Sequence, residues 1–219
     1  MELHRHLDDD LNLLRDRVLL LGGEAERAID RAMQSLMERD SELARDVLDH
    51  DDTIDSMEVE IDRRCIDIIA LRQPAARDLR FVFSVAKMTP VLERIADHAC
   101  NIARAAIDLN DQPELARNSE LQQMADHAVS MLRAALDAFT LFDARAAREI
   151  IKRDWEINEL YNLVFRDLIG KMVTEPQTAT RDARLLFVAK HLERVGDYVK
   201  DICELTVYMA EAAIIKHRN

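Results

Sequence analysis

An apolar pattern of helical period runs through almost the whole chain, and it constrains the fold more than any other feature. From Asp51 to Arg72 the apolar positions are Ile54, Met57, Ile61, Cys65, Ile68 and Leu71, the stripe of a helix with one buried face. Only four glycines and four prolines occur in 219 residues, and aromatic residues make up 5%. Sheets need frequent turns and favour β-branched and aromatic side chains, so a sheet-rich fold is excluded. The Gly-rich phosphate cradles are excluded too, because Gly22, Gly23, Gly170 and Gly196 cannot form G-x-G-x-x-G or a P-loop.

Breaks in the pattern fall at Glu38 to Ser41, Gln73 to Ala75, Asn110 to Ser119, Leu141 to Asp143 and Lys171 to Asp182. Each holds a proline, a cap candidate or a polar cluster. They divide the chain into six helices of roughly 20 to 35 residues, lengths suited to bundle packing. Gly22-Gly23 weakens the first helix, and Thr89-Pro90 predicts a kink or a one-turn break in the third.

The two halves of the chain echo one another. Glu93-Arg94-Ile95-Ala96-Asp97 reappears as Glu193-Arg194-Val195-Gly196-Asp197, 100 residues on. Val47 to Ile61 aligns with Ile150 to Val164 at an offset of 103, and Pro74 with Pro176 at 102. Three matches in one order indicate an internal duplication, each unit three helices long. The expected fold is all-α: two tandem, pseudo-symmetric three-helix bundles, residues 1–112 and 113–219.

The formal charge is −12, from 30 Lys and Arg against 42 Asp and Glu. That balance opposes direct nucleic-acid binding, which depends on neutralising phosphates. Val18 to Leu21, the longest aliphatic run near the N-terminus, is too short for a membrane span or a signal-peptide core. Three cysteines without C-x-x-C suit reduced, buried thiols and a cytoplasmic address.

The acids form lines. On a wheel with Leu92 at zero, Glu93, Asp97 and Asn101 fall at about 100°, 140° and 180°, flanking the buried face. Glu193, Asp197, Asp201 and Glu204 repeat that line with no Lys or Arg on it. On the second helix, Asp51, Asp55, Glu58 and Asp62 make a matching line. Like charges at i, i+4 repel, and carboxylates without Cys or His suit hard or borderline cations. The alternative is a solvated acidic face.

Other constellations carry less. His4 and His6 read as solvated, and His98 as a surface residue beside Asp97. No acid stands three residues before a histidine, so the Glu-x-x-His element of di-iron bundles is missing. Trp155 and Phe165 read as core or interface, and without G-x-S-x-G there is no nucleophile elbow. The expectation is a protein that is not an enzyme.

The order Asp51-x-x-Ile54-Asp55, then Gln73-Pro74-Ala75-Ala76-Arg77-Asp78-Leu79-Arg80, then Leu92-Glu93-Arg94-Ile95-Ala96-Asp97-His98-Ala99-x-Asn101-Ile102, with Leu192-Glu193-Arg194-Val195-Gly196-Asp197 as the second copy, resembles the PhoU family over nearly the whole chain. That resemblance implies a cytoplasmic protein that restrains phosphate uptake and phosphate-starvation signalling. Its implied partners are the phosphate ABC transporter's ATPase and the regulon's sensor histidine kinase. A homodimer is implied as well, with membrane association only through partners. It also implies metal ions (Fe, Mn, Mg or Zn) on the acidic motifs. By position the ligands would be Asp51, Asp55, Glu93 and Asp97 in the first repeat, and Asp154, Glu193, Asp197 and Asp201 in the second. The second motif departs from the first, with Tyr198 in place of His98 and Asn158 in place of Asp55. Two other readings stay open: a carboxylate-based metal-dependent enzyme, and a helical scaffold unrelated to phosphate.

Overall fold

The computed structural model describes residues 2–113 and 119–215, and no strand occurs among them. Helices α1 (Glu2–Glu38), α2 (Ser41–Arg72) and α3 (Ala76–Asn110) form the first three-helix bundle. Helices α4 (Ser119–Leu141), α5 (Ala144–Lys152), α6 (Asp154–Thr174) and α7 (Ala179–Glu211) form the second.

Local chemistry sets the ends. Arg39 and Phe142 take left-handed conformations at φ 58° and 54°. The following N–H groups, of Asp40 and Asp143, donate back to Ser35 O (2.9 Å) and Ala138 O (2.8 Å), closing α1 and α4. Asp40 and Asp143 then cap the next helices, accepting from the backbone N–H of Leu43 and of Arg145 and Ala146.

Two expectations about helix continuity need correction. The break at Thr89-Pro90 does not occur, since α3 runs unbroken through Pro90. A proline inside a helix costs about 3 kcal/mol. Here α3 packs against α1, α2 and α7, with Val85, Met88, Leu92 and Ile95 fully buried around it. That burial outweighs the proline, and the Thr89 hydroxyl donates to Val85 O at 2.9 Å. The expected fifth helix is instead split at Arg153, whose N–H bonds to Ile150 O three residues back. Nothing in the sequence marks this place, and α2 passes the equivalent position, His50, without interruption.

The bundles share one continuous apolar core. α3 lies against α7 and α1 against α4. Phe83 meets Tyr208 edge-on at 6.1 Å, and Arg184 pairs with Asp108. Contacts between low numbers in α3 and high numbers in α7, and the reverse, make the two helices antiparallel.

Candidate acidic site and its relatives

In the first bundle α2 and α3 bring Asp51, Asp55, Glu58, Glu93 and Asp97 into one electrostatic neighbourhood. Burial raises the Asp55 carboxyl, with Asp51, Asp97 and Asp52 adding to it. Burial raises Glu58 too, helped by Asp62, Asp55 and Asp97 and opposed by Arg94. Glu93 is pushed furthest, up to about 7, by burial and then by Asp97, Glu58 and Asp55. Cys100 lies beside this group. Its thiol is pushed up to about 12 by burial and then by the Asp51 carboxylate.

The second bundle is built differently at the same place. The Lys200 ammonium donates to Asp154 Oδ2 at 2.8 Å and pairs with Asp197 Oδ1 at 2.8 Å. Burial would lower its pKa, but the bonds to Asp154 and Asp197 outweigh burial and raise it. Asn158 also donates to Asp154 (2.8 Å), Lys190 pairs with Glu193 (2.5 Å), and Arg194 with Asp197 (3.2 Å). By the repeat offset Lys200 stands where Cys100 stands in the first bundle. The line of four acids is thus not free of cations, contrary to its reading on the wheel. Lys200 sits at about 80°, on the core side of the line, and its four-carbon stem carries the charge across to it. Gly196 helps this approach. A Cβ there, as Ala96 carries, would lie 3.1 Å from Ile157 Cδ1 and 3.3 Å from Asp154 Oδ1.

The eight carboxylates named from the sequence therefore fall into two sets with different surroundings. Asp51, Asp55, Glu93 and Asp97 repel one another. Asp154 and Asp197 share a lysine, Glu193 has its own, and Asp201 is half-buried with interactions of its own. Among the described residues, no three His, Cys, Asp or Glu side chains are arranged to hold a metal ion. The chemistry of the first set, neighbouring oxygen donors among which burial and nearby carboxylates hold Asp55 and Glu93 above the ordinary carboxylate range, fits a hard cation. The second set already carries one.

His98 is not a surface residue. Its Nδ1 lies 2.8 Å from Nδ1 of His191 across the α3–α7 contact, one ring donating to the other, and Tyr198 is 5.5 Å away. Burial, then His191, lowers the His98 pKa to about 4, and burial lowers that of His191. His191 and Lys200 escaped the sequence reading. Aligning Lys200 with Cys100 was the signal available for one, while nothing local pointed to the other. Trp155 and Phe165 are 58% and 42% exposed, so neither is core. His6 is exposed, and the His4 side chain lies outside the described residues.

The PhoU domain model matches residues 18–106 and again 121–206, one copy per bundle. The chain belongs to the PhoU family. A phosphate-specific transport system accessory protein PhoU homolog of Pseudomonas aeruginosa is 34% identical over 216 residues, covering 98% of this chain and 89% of that protein. The homolog of Aquifex aeolicus is 35% identical, covering 100% and 97%. PhoU of Escherichia coli is 33% identical, covering 99% and 92%. Two crystal structures share the PhoU fold at a TM-score of 0.90. One is PhoU from Pseudomonas aeruginosa, 35% identical, covering 94% of this chain and 99% of that one. The other is the phosphate transport system regulatory protein PhoU from Streptococcus pneumoniae, 30% identical, covering 96% and 99%.

Proposed function

We propose that this chain is an accessory protein of phosphate transport that restrains phosphate uptake and phosphate-starvation signalling, as an adaptor between the phosphate ABC transporter's ATPase and the regulon's sensor histidine kinase. The observation that carries this reading is the end-to-end match to accessory proteins of phosphate-specific transport. An adaptor represses by binding one conformation of its partner more tightly than another. Two rigid bundles on a shared core suit that task. No helix among the described residues is long and apolar enough to cross a membrane, so membrane contact would run through partners, from the cytoplasm. The protein is read as a non-enzyme that does not bind nucleic acid directly and acts as a homodimer, with units 1–112 and 113–219 as its two repeats.

Within this reading, Asp51, Asp55, Glu93 and Asp97 would hold a divalent or trivalent ion, with Fe, Mn, Mg and Zn as the candidates. Asp154, Glu193, Asp197 and Asp201 would take one only with Lys200 displaced. Deleting the gene tests the function: alkaline phosphatase and transporter genes should be expressed in phosphate-rich medium. Unchanged expression in a clean deletion would overturn the proposal.

A further inference from the structure

A cleft of about 450 Å³ opens where α1, the first turns of α3 and the α4–α5 turn meet. Its walls include Asp8, Arg15, Arg77, Asp78, Phe81 and Phe142. The Arg77 guanidinium lies 4.6 Å from the centre of the Phe142 ring. That of Arg15 is 5.6 Å from the same ring and 5.5 Å from Phe81. Arg15 Nη1 donates to Asn12 Oδ1 at 3.3 Å, but its buried Nε has no acceptor. Among the described residues, neither arginine forms an ion pair.

The internal repeat shows what such donors hold. In the pseudo-symmetric copy of this cleft, against the second bundle, Arg39 from the α1–α2 turn stands in the place of Phe142, with the same positive φ before the same Asp cap. Arg181, opening an R-D-x-R segment like that of Arg77 to Arg80, stands in the place of Arg77. There the chain leaving α3 passes over both guanidiniums. Arg39 donates to the carbonyls of Asn110 (2.6 Å) and Gln112, and Arg181 to that of Pro113 (2.9 Å). The chain leaving α7 does not repeat this path. Glu211 instead pairs with Arg148 on α5 at 2.6 Å, Ala212 turns at φ 58°, and none of Ala212 to Ile215 lines the cleft.

The formal charges on the walls cancel, two arginines against two aspartates, so nothing steers a free anion to this place. What the arginines lack is a neutral acceptor beside an aromatic floor. We propose that this cleft is a docking site for an extended segment of a partner protein, its backbone carbonyls accepting from Arg15 and Arg77 and an apolar side chain resting on Phe81 and Phe142. The inference rests on the adaptor reading for the partner's identity but not for its chemistry.

The probe is a terminally blocked, fluorescein-labelled peptide of residues 106–116 of this chain, which carries the Asn110, Gln112 and Pro113 carbonyls that Arg39 and Arg181 hold. Fluorescence anisotropy with the full-length protein should show saturable binding. Arg15→Ala and Arg77→Ala should each weaken it at least fivefold, with unchanged melting temperatures, whereas Arg63→Ala on exposed α2 should leave it unaltered. A scrambled peptide of the same composition should bind at least fivefold more weakly. The proposal is overturned if the peptide does not bind, if it binds all variants equally, or if millimolar inorganic phosphate displaces it, which would mark an anion site. Peptide binding is read independently of phosphate-gene expression. A deletion without phenotype would sink the adaptor reading and leave the cleft standing, and the reverse result would do the opposite.

Discussion

Glu93 and Lys200 show at the scale of single residues how the two repeats treat the same charge problem. Glu93 has a folded-state pKa of about 7 against an ordinary 4.5, so between those values the folded chain holds a proton that the unfolded chain has lost. Stability in chelator should then fall as pH rises from about 4.5 to about 7, and Glu93→Gln should flatten that fall. Urea titrations across the range check it, and equal slopes in both proteins would refute it. A cation that binds only the folded state adds RT ln(1 + [L]/Kd), about 2.7 kcal/mol at a hundredfold excess over Kd. Thermal melts with Mn, Mg, Fe or Zn should therefore raise the wild type at neutral pH and raise Glu93→Gln with Asp97→Asn less. Equal shifts in both would place the ion elsewhere.

The second repeat should respond with the opposite sign. Glu193→Gln with Asp197→Asn strips partners from Lys190 and Lys200, so metal-free stability should drop, whereas Glu93→Gln with Asp97→Asn removes like charges and should raise it. Lys200→Ala leaves Asp154 and Asp197 facing each other and should cost about 1.5–3 kcal/mol, the range for hydrogen bonds to charged groups. It should also create a metal-dependent gain in stability that the wild-type second bundle lacks. Denaturation of this variant with and without Mn decides the matter, and no loss in chelator would refute the pairing.

At the scale of helices, two adjacent glycines in α1 make a paired prediction. A Cβ on Gly22 would lie 2.6 Å from Leu136 Cδ1 on α4, whereas one on Gly23 meets nothing nearer than 3.8 Å. Gly22 faces Leu136 of the other bundle, and Gly23 is merely a weak helix former. Gly22→Val should destabilise by about 1–3 kcal/mol through overpacking. Gly23→Ala should stabilise by up to about 1 kcal/mol. Thermal or urea unfolding of the two variants is the test, and the same sign for both would refute the account. The helix boundaries themselves were largely legible, because Asp40, Pro74 and Asp143 act through neighbours a few residues away. The split at Arg153 was not legible. No Gly or Pro marks it.

For the whole molecule the shared core is the dominant fact. With α3 packed on α7 and a single apolar cluster spanning both repeats, the bundles should unfold together. Calorimetric and van't Hoff enthalpies should agree, and two resolved transitions would show the bundles to be independent. The sequence alone determined the helical class, the duplication and most of the caps, since periodicity and capping depend on contacts within about one turn. It also carried the family resemblance, and it named carboxylates that do gather in the first bundle. Only the tertiary structure decided that Pro90 lies inside a continuous helix, because burial on three neighbouring helices outweighs one missing hydrogen bond. Only it joined His98 to His191, some 90 residues apart, and placed Lys200 among the second set of acids. Those pairings depend on how the two halves cross and how far a long side chain reaches, and neither is written in local spacing.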